Sequence, residues 1–128
     1  MPLMVGWFWG SFVLTVVLLL ATVWMGLRGA RRAHFVCVAL FVAMLYVTVR
    51  LTRGLVESLD FPDDELAFHL RFAITASALL VPVLLTGLGY ARWGGRKWRL
   101  WHRTAVIVFV VSVLAATATG VRMFLLVA

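Results

Sequence analysis

The sequence predicts an all-α integral membrane protein, an antiparallel four-helix bundle with its N-terminus and C-terminus outside, and three observations predict it. Of 128 residues, 64% are hydrophobic and 13% charged, and the mean hydropathy of +1.05 lies far from that of soluble proteins. Four apolar runs approach or exceed the ~30 Å of a hydrocarbon core at 1.5 Å per residue. Basic residues gather in two of the three connections and acidic residues in the third, the asymmetry that orients spanning helices. The apolar runs are continuous, whereas the strands of a membrane barrel would alternate. Residues 1–128 therefore read as one domain, with spans over about 7–27, 34–53, 65–91 and 101–126.

The first span carries no basic residue before Arg28 and no small-x-small cleavage site, so it is expected to be a retained helix. The second opens at His34. The third follows Pro62, Asp63, Asp64 and Glu65, a helix start in which acidic groups complement the N-terminal dipole. Pro82 lies inside it and predicts a kink, with Ser77 and Thr86 placed to satisfy the freed backbone. The fourth span has Ser112, Ala116 and Gly120 at intervals of four, a pattern that lets membrane helices approach closely.

Arg28, Arg31 and Arg32 fall between the first two spans, and Arg92, Arg96, Lys97, Arg99 and Arg103 between the last two. These eight residues are expected to face the cytoplasm, consistent with a bacterial inner (cytoplasmic) membrane. All five acidic residues, Glu57, Asp60, Asp63, Asp64 and Glu65, are expected outside. Trp7, Trp9, Trp93, Trp98 and Trp101 stand where interfacial aromatic belts form. The pI of about 11.4 follows from this topology. No nucleic-acid-binding motif accompanies the charge, so the expected partners are the bilayer with its anionic headgroups and subunits of a membrane complex.

The chain has three histidines, His34, His69 and His102, each where an apolar span begins. Neutral imidazole is a common ligand of haem iron and copper, and ionisable groups in a membrane are costly enough to point to function. Helical spacing places Cys37, Phe41, Leu45, Thr48 and Thr52 on the His34 face. It places Ala73, Ala76, Leu80, Val83 and Gly87 on the His69 face, and Ala105, Phe109, Val113, Ala116 and Gly120 on the His102 face. All three histidines are expected to look inward. Helices two and four run the same way, so His34 and His102 form a diagonal pair at the inner level, able to share haem b or, less readily, copper. Arg31, Arg32, Arg99 and Arg103 are the expected partners of haem propionates. His69 stands apart at the outer level as a single metal-ligand candidate. Thr86-Gly87 and Thr119-Gly120 follow His69 and His102 at equal distances, as in an inverted repeat.

Cys37, the one cysteine, excludes an intramolecular disulfide and reads as a small buried residue. No nucleophile-base-acid constellation is present, so the chain does not read as an enzyme. A cofactor-free structural or assembly subunit, with the histidines as helix-end anchors, stands as the alternative.

His102-Arg103 followed by Thr119-Gly120-Val121, with Ala33-His34 opening the second span and His69-Leu70-Arg71-Phe72-Ala73 the third, resembles the small four-helix membrane proteins of domain-of-unknown-function family 420. The resemblance covers roughly residues 31–128. It implies a respiratory-chain neighbourhood and metal or haem handling. The chain departs from that family's pattern by reading Val108-Phe109-Val110-Val111-Ser112-Val113 where a proline and a Trp-x-Tyr cluster are expected.

Overall fold

A computed structural model of the chain describes residues 2–127. They form four helices, α1 (Pro2–Leu27), α2 (Arg31–Ser58), α3 (Asp63–Trp93) and α4 (Arg96–Val127), and no strand occurs among the described residues. All four are long and apolar enough to cross a membrane. Each runs beyond its expected span, so Arg31, Arg32, Arg96, Lys97, Arg99 and Arg103 lie on helices and not in loops. The reason is that the expected limits were set where apolar residues begin. Arginine and lysine are good helix formers, and their long stems can reach outward from a helix end.

The chain divides into two compact units, Met1–Asp60 and Phe61–Ala128, each a pair of helices. Within the first, α1 ends in a Schellman turn. Gly29 takes φ 69°, and Ala30 N–H and Gly29 N–H donate to the carbonyls of Met25 and Gly26 at 3.0 and 3.2 Å. A left-handed residue is what this motif requires, and glycine adopts it without a Cβ penalty. The α3–α4 turn uses Gly94 and Gly95, with φ 65° and 90°.

The interface of the first unit is more polar than an apolar span suggests. Phe8, Ser11, Thr15, Leu19 and Thr22 of α1 are buried on one helical stripe, with Phe41, Thr48 and Leu55 of α2. Each hydroxyl is satisfied locally: Ser11 donates to Phe8 O at 2.9 Å, Thr15 to Ser11 O at 2.7 Å and Thr22 to Leu18 O at 2.6 Å. Because the Thr15 proton is committed to its own helix, Thr48 donates to Thr15 across the interface at 2.9 Å. In lipid, where water cannot compete, such a bond contributes about 0.6 kcal/mol, rising to about 1.7 in favourable cases.

In the second unit Ala76 and Gly89 of α3 and Phe109 and Met123 of α4 are buried. Near the turn, Trp98 lies over Gly89, where a Cβ would overlap its six-membered ring. Trp98 also stacks on Trp93, with ring centroids 5.4 Å apart. At the opposite end Phe61 meets Phe124 edge-on at 5.3 Å, and Arg122 pairs with Glu65 at 2.9 Å. That pair joins the start of α3 to the end of α4, but its arginine is exposed, which limits it to about 1 kcal/mol at most.

Pro82 lies within an unbroken α3. The expected helpers do not reach the carbonyl that its missing N–H leaves open, four residues back at Ala78. Ser77 donates to Ala73 O at 2.8 Å and Thr86 to Pro82 O at 2.6 Å. Hydroxyls on a helix bond back to their own i−4 carbonyl, and neither position is i+4 from Ala78.

Gly89→Ala is expected to overpack the Trp98 contact and cost about 1–3 kcal/mol. Thermal unfolding in detergent, followed by circular dichroism, measures this. In a double-mutant cycle, Trp98→Leu removes most of the penalty. A Gly89→Ala protein as stable as the parent would contradict the contact.

Candidate functional histidine stations

Each of the three histidines stands early in its helix, His34 as the fourth residue of α2, His69 as the seventh of α3 and His102 as the seventh of α4. All three are partly buried. The expected stripes lie beside them: Cys37, Phe41, Leu45, Thr48 and Thr52 on α2 are buried or half-buried, as are the residues predicted to share a face with His69 and with His102. Arg50 and Arg71 are exposed.

The imidazoles meet the neighbouring helix in one recurring way. His34 Nδ1 lies 2.8 Å from the Thr22 carbonyl oxygen, and Gly26 faces the same ring, so that a Cβ there would come within 3.1 Å of it. His69 Nδ1 lies 2.9 Å from Thr119 Oγ1, with Gly120 facing the ring at 3.1 Å by the same measure. His102 Nδ1 lies 3.2 Å from Thr86 Oγ1, with Gly87 at 3.0 Å. In every case a glycine removes the side chain that would otherwise hold the imidazole away.

At His34 the contact fixes the tautomer. A carbonyl oxygen can only accept, so His34 donates from Nδ1 to Thr22. The threonine hydroxyls are able to act as acceptors too, because each has carbonyls of its own helix to donate to. Thr119 donates to Ala115 O at 2.9 Å, with Ala116 O at 3.1 Å, and Thr86 donates to Pro82 O at 2.6 Å, with Val83 O at 3.2 Å. Neutral imidazole carries one N–H. With that proton on Nδ1, the lone pair resides on Nε2, the arrangement in which second-shell acceptors prepare histidine for metal binding.

A fourth position matches these three in place but not in chemistry. Met4, near the start of α1, sets its methyl over Gly54 near the end of α2, 2.8 Å from where a Cβ would stand. Sequence reasoning missed Met4, as it missed Thr22 and Gly26. Its signal was the glycine on the partner helix, which has meaning only when the pairing of the two helices is known.

His69 and His102 both belong to the second unit, at opposite ends of it, and His34 belongs to the first. Among the described residues no three His, Cys, Asp or Glu side chains come together as a metal-binding group. Of the arginines expected around a cofactor, Arg31 lies over the Phe35 ring at 5.6 Å, while Arg32, Arg99 and Arg103 are exposed. Arg99, Arg96, Tyr90 and Gly95 line an open hollow of about 310 Å³ beside the α3–α4 turn. Lys97 rests over Trp101 at 4.5 Å. The acidic connection contributes Asp63, Asp64 and Glu65 to the first turn of α3. No family model, curated protein or solved structure matches the chain.

Thr119→Val and Thr86→Val each leave an imidazole N–H facing a methyl group and are expected to destabilise the protein by about 0.6–1.7 kcal/mol. Thr119→Ser and Thr86→Ser, which keep the acceptor, should recover most of that. Denaturant titration in mixed micelles checks both pairs; valine variants as stable as the parent would show that the bonds contribute nothing.

Proposed function

We propose that this is a haem b-binding membrane protein of the respiratory chain, using histidine Nε2 atoms as axial ligands of iron. The observation that carries the proposal is the recurring contact of imidazole Nδ1 with an oxygen of the neighbouring helix, which leaves Nε2 as the ring nitrogen not engaged in that contact. Haem suits such isolated imidazoles, because the porphyrin supplies four nitrogens and asks the protein for one or two ligands. Copper is the second candidate and suits them less, since it draws its ligands from several side chains gathered at one point. The donor chemistry of the chain therefore fits haem.

The orientation belongs to the same proposal: an antiparallel four-helix bundle, both termini outside, in a bacterial inner membrane. Positive charge at the starts of α2 and α4 supports it. On that topology His34 and His102 start from the cytoplasmic side, and we propose them as haem ligands, with Arg31, Arg32, Arg99 and Arg103 serving the propionates. Bound haem would supply one-electron chemistry; the chain's own part is to hold and orient the imidazoles.

A second reading has an observation in its favour. The Nδ1 bonds join neighbouring helices, and polar contacts of this kind hold membrane helices together without any cofactor. On that reading the protein is a cofactor-free subunit of a membrane complex.

Absorption spectroscopy separates the two. After expression with ample haem, the purified protein is expected to show a Soret band, and His34→Ala and His102→Ala are each expected to lose absorbance. Thr86→Val should weaken haem binding by about 10-fold or more through loss of the orienting bond. A colourless parent protein would favour the cofactor-free subunit, and a parent spectrum unchanged in both alanine variants would overturn the proposed ligands.

A further inference from the structure

The turn between α3 and α4 gathers positive charge that the second unit does not neutralise. Arg92, Arg96, Lys97, Arg99 and Arg103 lie close together there in sequence. The acidic side chains of the unit, Asp63, Asp64 and Glu65, belong to the first turn of α3, about 40 Å from its far end at the α-helical rise. None of them can reach the basic turn. The first turn of α4 has no acidic residue either, so its basic residues stand at the positive end of the helix dipole, the reverse of the favourable placement. Compensation has to come from an anion outside the unit.

The same turn holds the hollow lined by Tyr90, Gly95, Arg96 and Arg99, whose volume of about 310 Å³ falls at the small end of the range for ligand pockets. Gly95 has φ 90°, a conformation that favours glycine, and a Cβ on it would stand in open space. The lining therefore carries two positive charges and stays open. A guanidinium presents its N–H groups as a fork that matches the oxygens of a phosphate, and a tyrosine hydroxyl is a further donor. Two observations give the level of the hollow. Both helices that it joins are long and apolar enough to cross a membrane. Trp93 and Trp101 are exposed beside it, and tryptophan concentrates where headgroups meet hydrocarbon.

We infer that this hollow binds the phosphate of an anionic phospholipid headgroup, held by Arg96 and Arg99 with the Tyr90 hydroxyl as a third donor. A basic pocket between spanning helices is the kind of site that takes such headgroups. The inference goes beyond the haem reading and does not draw on it. Arg99 is common to the two, whereas Arg96 and Tyr90 belong to the hollow alone. A site also differs from the general attraction of basic turns to a membrane, which depends on the total charge and not on which arginine carries it.

Counting bound lipid tests this. The purified full chain in a neutral detergent is titrated with phosphatidylglycerol, and the lipid retained per chain is measured by native mass spectrometry, with phosphatidylcholine and inorganic phosphate as parallel arms. The parent is expected to retain phosphatidylglycerol in preference to phosphatidylcholine. Arg96→Gln should weaken that binding by about 5-fold, and Arg96→Gln combined with Arg99→Gln by about 25-fold, at about 5-fold for each basic group facing an anionic headgroup. Tyr90→Phe should weaken it with no change of charge. Arg92→Gln removes the same charge from the same end of the unit but outside the hollow, and should bind as the parent does. Equal losses in Arg96→Gln and Arg92→Gln, with none in Tyr90→Phe, would overturn the site and leave only diffuse attraction. Phosphatidylcholine retained as firmly as phosphatidylglycerol, or inorganic phosphate that excludes the lipid, would overturn the assignment to an anionic lipid. The readout is lipid and not absorbance, so each of these results leaves the haem reading where it stands.

Discussion

A hydrogen bond from imidazole Nδ1 to an acceptor on the neighbouring helix is the interaction on which the candidate chemistry depends. It needs three things from the sequence at once: a histidine near one helix start, an acceptor near the end of the partner helix, and a glycine beside that acceptor. With a larger residue in place of Gly26, Gly87 or Gly120, the ring would have to give way by a few tenths of an ångström. Without the acceptor, the N–H would be left unpaired among apolar groups, at a cost of about 0.6–1.7 kcal/mol. The same bond joins the helices and decides which nitrogen carries the lone pair. Packing and ligand chemistry are therefore not separable at these sites.

The threonines matter for where their own protons go. A free hydroxyl could donate to imidazole or accept from it, leaving the tautomer open. Thr86 and Thr119 are helical, and each bonds back to a carbonyl on the preceding turn, which is the usual behaviour of a hydroxyl on a helix in lipid. That local habit turns the hydroxyl into an acceptor toward its neighbour. At His34 the same result comes from a bare carbonyl, that of Thr22, whose hydroxyl is spent on Leu18 O.

Much of the fold was legible in the sequence because lipid makes the rules strict. Apolar runs of sufficient length become helices, since a spanning segment must satisfy its own backbone. The helix ends were less legible. Arg31 and Arg96 begin helices that hydropathy alone starts several residues later. The candidate site was legible by half. The three histidines and the equal spacing to Thr86-Gly87 and Thr119-Gly120 stand out in the sequence as a repeat. That each histidine meets the other helix's Thr-Gly depends on how far one helix slides past the other, which the α3–α4 turn and the Trp98–Gly89 contact determine together. Thr22, Gly26, Met4 and Gly54 carried no such spacing and became meaningful only through contact. Ser77 and Thr86 show the opposite case, since proximity to Pro82 in sequence did not put their hydroxyls on the open carbonyl.

The chemistry of the three histidines turns on one proton. Nitrogen-15 spectra of the imidazoles, recorded on haem-depleted protein in micelles near neutral pH, report which ring nitrogen holds it. The expected result is a proton on Nδ1 at His34, His69 and His102. Spectra dominated by the Nε2–H form would contradict it, because the lone pair would then point at the neighbouring helix and no histidine would be prepared to bind a metal.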